Sequence, residues 1–133
     1  MEKRMKKKPY KWLERRVAKP GSYLALCLSE AELEHAYKGL TKSHLEFPET
    51  GAMAYCFRHL RTKETCSIVA LSKSAQENLN AIEIAGMLVH EAVHVWQYYA
   101  EQMGETRPGD EQEAYAIQAI SQELMAEYAR RIA

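Results

Sequence analysis

The stretch that decides the fold is Met87-Leu88-Val89-His90-Glu91-Ala92-Val93-His94-Val95-Trp96-Gln97, inside a longer run from about Asn80 to Met103. Ile82, Gly86, Val89, Val93, Trp96 and Ala100 recur at helical spacing, which predicts one long helix packed on that side. His90 and His94 are four residues apart. They therefore share a helix face, about one turn or roughly 6 Å apart along the axis. Two imidazoles so placed can hold one Zn²⁺. Glu91 is turned about 100° around the helix from His90. It is badly placed as a third ligand to the same ion, yet it can reach a water held there. That is where a general base belongs.

An H-E-x-x-H spacing arises by chance in roughly one chain of this length in a few hundred. The flanks tighten the case, because the helix reads as apolar nearly all round. Two histidines and a glutamate buried in such a helix are costly without partners, and a metal supplies one. The plain alternative is a pair of core histidines bonded to backbone, with Glu91 exposed.

A catalytic zinc takes three protein ligands and keeps one position open. Downstream, Asp110, Glu111 and Glu113 open a last helix whose buried stripe is Ile117, Ile120, Leu124 and Tyr128. Glu113 falls on that stripe and Glu111 on another side. Asp110 and Glu111 suit the helix dipole as ordinary N-terminal acids. Glu113 is therefore the candidate third ligand.

His90-Glu91-Ala92-Val93-His94, followed nineteen residues later by Glu113 in Gln112-Glu113-Ala114-Tyr115, resembles the gluzincin arrangement of zinc metallopeptidases. The same stretches resemble small phage and prophage proteins. The resemblance covers about residues 66–118 and rests on two short motifs. It implies His90, His94 and Glu113 as zinc ligands, Glu91 as general base and acid, and one zinc ion as cofactor. It also implies that Thr65–Leu71 is the edge strand along which an extended protein or peptide substrate lies. Two departures stand out. Ile117 occupies the position, four after Glu113, where gluzincins commonly carry an acid that orients a histidine, so the orienting group must come from elsewhere. No second cleft-forming domain is read in the chain, which leaves Tyr98, Tyr99 and Tyr115 as candidates for the oxyanion donor. Aromatics at helical spacing are, however, ordinarily core.

Working outward, the 133 residues suit one domain with a real core, 47% of them being hydrophobic. Tyr23–Leu28 is a short apolar run whose pattern fits strand or helix. Ser29 and Glu32 form a capping-box pair that opens a helix to about Leu40. Residues 41–50 read as a loop. Gly51–Arg58 and Thr65–Leu71 predict an antiparallel hairpin. Residues 72–80 are polar. Gly104 ends the motif helix, Arg107-Pro108-Gly109 makes a turn, and Asp110 is expected to cap the last helix. The expected fold is α+β: a small zincin-like domain over residues 21–133, after a basic N-terminal segment, residues 1–20.

Formal net charge is zero, so no global field favours nucleic acid or an anionic membrane. Residues 1–20 nevertheless carry Lys3, Arg4, Lys6, Lys7, Lys8, Lys11, Arg15, Arg16 and Lys19 against Glu2 and Glu14. Such a leader can touch RNA, DNA or an acidic partner, but its ordinary reading is a solvated tail. No secretory h-region follows it, and no run approaches the roughly 20 apolar residues of a membrane span. Cys27, Cys56 and Cys66 lack C-x-x-C spacing and read as buried thiols of a reducing cytoplasm, a host cytoplasm or virion if the chain is phage-encoded. His35, His44 and His59 read as surface residues. Set against a peptidase is a non-catalytic module in which zinc ties two long helices together. Its zinc would be closed by a fourth protein ligand.

Overall fold

Two short hydrophobic runs, YLALC and TCSIVAL, fail to alternate because both of their faces are covered. They are β1 (Tyr23–Cys27) and β3 (Thr65–Leu71), and they pair in parallel, Tyr23 opposite Cys66 and Cys27 opposite Ala70. The strand β2 (Ala52–Arg58) lies on the other side of β3, antiparallel to it, with Ala52 opposite Leu71 and Arg58 opposite Thr65. The sheet order is thus β1-β3-β2. The computed structural model describes residues 9–13, 23–104 and 109–133.

Successive side chains of a strand point to opposite faces, and the two cores follow that rule. Leu24, Leu26, Val69 and Leu71, with Ala52, Ala54 and Cys56 of β2, face the long helices α3 (Ala81–Gln102) and α4 (Asp110–Ile132). Cys27 and Ile68, with Tyr55 and Phe57, face α1 (Glu30–Tyr37) and the loop residues Leu45 and Phe47. The fold is therefore α+β, with helices on both faces of a three-stranded sheet. Leu26, Ile68, Leu71, Leu88 and Leu124 are among the fully buried side chains. Cutting any of them to alanine costs about 2–5 kcal/mol.

The hairpin forms where the sequence places it, closed by His59 N–H to the Glu64 carbonyl at 2.7 Å and Lys63 N–H to the His59 carbonyl at 3.0 Å. His59 stays in that turn, its Nδ1 accepting the Arg61 and Thr62 N–H groups. Ser29 caps α1 through its Oγ, which accepts the Glu32 N–H at 3.2 Å. The reciprocal half of the expected capping box is displaced by one residue, because Glu32 Oε1 takes the Leu28 N–H at 2.9 Å. Polar residues 72–80 hold a helix that the sequence reading passed over, α2 (Lys73–Asn78), capped by Ser72. Gln76 Nε2 anchors it to the carbonyls of Leu28 and Leu71.

The motif helix α3 starts with a full capping box, Asn80 Oδ1 accepting Glu83 N–H and Glu83 Oε1 accepting Asn80 N–H. Gly104, at φ +80, provides the left-handed residue past its end. The last helix corrects an expectation: Gly109, not Asp110, is its N-cap, and Asp110, Glu111 and Glu113 lie in the first turn. Three carboxylates there favour the helix dipole without a side-chain cap.

Of the basic N-terminal segment, residues 1–8 and 14–20 lie outside the described residues, as do residues 21–22 and hence the boundary at residue 20. Residues 9–13 are packed on the domain: Trp12 bridges to Ala25, Leu13 N–H bonds the Leu24 carbonyl at 2.7 Å, and Leu13 is buried. The expected turn at Arg107-Pro108 is likewise outside them. Among the described residues, no helix is long and apolar enough to cross a membrane.

Candidate functional site

The face of α3 that enters the core is made by Ile84, Leu88, Ala92, Val95, Trp96, Tyr99 and Ala100. This corrects the stripe expected from sequence. Ile82 is 82% exposed and Val89 is also exposed, so only Trp96 and Ala100 of that stripe are buried. A helix apolar nearly all round satisfies the period on more than one face, and the sequence alone could not choose between them. One side of α3 packs against α4 and another against β2.

His90 and His94 project from the opposite side and are exposed. Their rings meet edge to face with centroids 5.0 Å apart. Neither ring has a hydrogen bond among the described residues. Contrary to expectation, neither histidine pays a cost of burial. Glu91 does, being 5% exposed, at the border between the histidine face and the core. Burial pushes the Glu91 carboxyl above its ordinary range, while charge on His90 and His94 opposes that rise. No hydrogen bond reaches the Glu91 carboxylate from a described residue.

Behind Glu91 lies β2. Burial raises the Cys56 thiol, the Ser67 hydroxyl lowers it by donating to Sγ at 3.3 Å, and the charge of Glu91 raises it. Nothing in the sequence marks Cys56 and Ser67 as neighbours of Glu91, because the register and the helix crossing that join them are both long-range. At the far end, Arg58 Nη1 bonds Gln102 Oε1 at 2.6 Å, so β2 flanks the second half of α3.

The sheet order corrects the strand expected to receive a substrate. Thr65–Leu71 is β3, the central strand, with both edges paired. An extended peptide cannot add to it. The open edge next to α3 belongs to β2, whose outer side carries no paired strand among the described residues.

Comparison with known proteins gives no match: no family model, no curated protein and no solved structure is similar enough to this chain to be informative. The site therefore stands on its own geometry.

Glu113 occupies the first turn of α4, half-buried, on the stripe shared with Ile120 and Leu124. Its Oε2 accepts a hydrogen bond from Trp96 Nε1–H at 3.2 Å. The structure thus ties Glu113 to the motif helix through Trp96. It does not gather Glu113 with His90 and His94: among the described residues, no three His, Cys, Asp or Glu side chains form a ready-made metal cage. The donor chemistry suits zinc, with two imidazoles side by side and a carboxylate on the adjoining helix.

Of the tyrosines considered for the oxyanion, Tyr99 is core and Tyr115 is 67% exposed. Tyr98 is half-buried, with its hydroxyl raised by burial and by Cys56 and lowered by Arg58, which places it beside β2. His35 and His44 are exposed and bonded to the Tyr10 and Tyr37 hydroxyls. Cys27 and Cys66 are buried free thiols, raised to about 12 and about 11 chiefly by burial.

Proposed function

We propose that the chain is a zinc-dependent peptidase in which His90, His94 and Glu113 hold the metal and Glu91 is the general base. The observation that carries this reading is Glu91 itself. A carboxylate buried at the foot of two exposed, adjacent histidines, with no hydrogen bond among the described residues, is a poor stabiliser and a good base. Zinc, when bound to such a donor set, acidifies water toward a pKa of about 7 and polarises a carbonyl. The raised Glu91 carboxyl takes the proton from the attacking water and delivers it to the nitrogen of the leaving amine. The open edge of β2 lies beside this face and can hold an extended peptide by main-chain hydrogen bonds, with Cys56 and Ser67 forming the wall behind Glu91. The free cysteines suit a reducing compartment such as a cytoplasm.

The test is digestion of a diverse peptide library by the zinc-loaded chain and by Glu91→Gln at equal metal content. Cuts made by the wild type and lost in the variant support the reading. No cuts from either, with zinc fully bound, would turn it toward the non-catalytic module whose zinc ties α3 to α4.

A further inference from the structure

The two ends of the β2–β3 hairpin fix which backbone groups of β2 are free. At one end His59 N–H bonds the Glu64 carbonyl at 2.7 Å, and at the other Ser72 N–H bonds the Gly51 carbonyl at 2.9 Å. In an antiparallel pair, residues that exchange hydrogen bonds alternate with residues that do not. With the register between those ends, Met53, Tyr55 and Phe57 direct their N–H and C=O groups to β3. Ala52, Ala54, Cys56 and Arg58 therefore turn theirs to the open edge. The same residues carry their side chains on the α3 side of the sheet. Ala52, Ala54 and Cys56 pack against the core beneath α3, and Arg58 Nη1 bonds Gln102 Oε1 at 2.6 Å. A strand added at this edge pairs with that row and lays the facing side chains on the α3 side, beside the HEAVH motif.

The row discriminates at one point. Ala52, Ala54 and Cys56 are small and present little but apolar surface. Arg58 is exposed, and the one hydrogen bond of its guanidinium among the described residues goes to a neutral amide. That bond holds the group in place and leaves its charge and its other N–H donors for a further acceptor. Among the described residues no ion pair reaches Arg58. Arg58 lies two residues beyond Cys56, about 7 Å along the strand, and Cys56 is the β2 residue that feels the charge of Glu91. From this row we infer that Arg58 is the specificity-determining residue of the edge. It selects a peptide with a carboxylate two residues from the one that pairs with Cys56. The inference rests on the peptidase reading above. An aspartate or glutamate side chain supplies the carboxylate in either strand direction, and the peptide's own C-terminus supplies it when the strands run parallel.

The experiment uses the full zinc-loaded chain and its Arg58→Gln and Arg58→Glu variants. The peptides are built on one sequence cut in the library digestion, or on an alanine-rich sequence where none is cut. One set is blocked at both termini and carries glutamate, glutamine or lysine at each position in turn. The other carries a free or an amidated C-terminus. The wild type is expected to cut the carboxylate member about 10-fold more efficiently than its uncharged counterpart, the low end for a charge-assisted bond at an exposed site. The difference should lie in KM and not in kcat, because Arg58 stands off the reacting bond. Arg58→Gln should erase the preference, and Arg58→Glu should turn it toward lysine. A preference within the blocked set assigns the carboxylate to a side chain, and one confined to the free C-terminus assigns it to the chain end. A wild type indifferent to the carboxylate overturns the inference, as does a preference that survives in Arg58→Gln. Failure of the underlying reading looks different: with zinc bound, none of the three proteins cuts any peptide. Fluorescence anisotropy of the same peptides, dye-labelled, then decides the part of Arg58. Tighter binding of the carboxylate member, lost in Arg58→Gln, upholds it, and equal binding overturns it.

Discussion

The two ends of α4 treat carboxylates in opposite ways. At its C-terminal end, buried Glu127 is gripped by Arg130 through two hydrogen bonds of 2.8 and 2.7 Å. Nearby, Glu32 accepts the Leu28 N–H and pairs with buried Arg131, which joins the end of the chain to the start of α1. At the N-terminal end and on adjoining α3, the one donor to Glu113 among the described residues is a neutral indole, and Glu91 is buried with no hydrogen bond among them. Carboxylates that close the fold are consumed by their partners. Those around the HEAVH motif are left with capacity to spare among the described residues.

Mutations should separate the two ends. The largest expected effect is on metal binding: replacing His90 and His94 together by alanine should take zinc from one ion per chain to none by elemental analysis after dialysis. Because both rings are exposed, the same change should move the unfolding free energy of the metal-free protein by less than about 0.5 kcal/mol. Loss of folding in that variant would mean that the histidines are structural and would erase the contrast. At the closed end, Arg131→Ala leaves Glu32 and the α1 terminus without their cation. Urea unfolding should show a loss of about 3 kcal/mol, trimmed somewhat because Nε and Nη1 of Arg131 have no hydrogen-bond partner among the described residues. Zinc binding should be untouched.

The cysteines sharpen the same contrast. Cys27 lies near Glu32 and Arg131, and its thiol is pushed to about 12, so at pH 8 only about one molecule in 10⁴ presents the reactive thiolate. Cys56, half-buried beside Glu91, should be alkylated first by iodoacetamide in the native protein, with Cys27 and Cys66 reacting after unfolding. Peptide mapping of a time course would show the order, and early labelling of Cys27 would mean that the Arg131 end opens readily.

How much of this was legible in the chain depends on the range of the interactions. The β2–β3 hairpin, the Ser29 start of α1 and both long helices follow from neighbouring residues, and their limits fall within a few positions of the reading. The motif His90-Glu91-Ala92-Val93-His94 was equally local; of the inward stripe expected for α4, Ile120 and Leu124 are buried, while Ile117 and Tyr128 are half-buried at its margin. The parallel pairing of β1 with β3 was not local, since it joins segments some forty residues apart and makes β3 central instead of an edge. The buried face of α3 was also hidden. Apolar residues surround that helix, so the choice between Val89 and Leu88 is made by β2 and α4 and not by the period. For the same reason the bond from Trp96 to Glu113 could be seen only after the helices were docked.

In the peptidase reading, Glu91 is kept buried for chemistry rather than for folding. That role is tested most directly by measuring turnover and stability on one preparation of Glu91→Gln. Peptide cleavage should fall by about 10²- to 10⁴-fold with zinc content unchanged, while the metal-free variant melts at a higher temperature than the wild type, because a buried charge has been removed. Cleavage at the wild-type rate, or a variant that is less stable than its parent, would contradict the account.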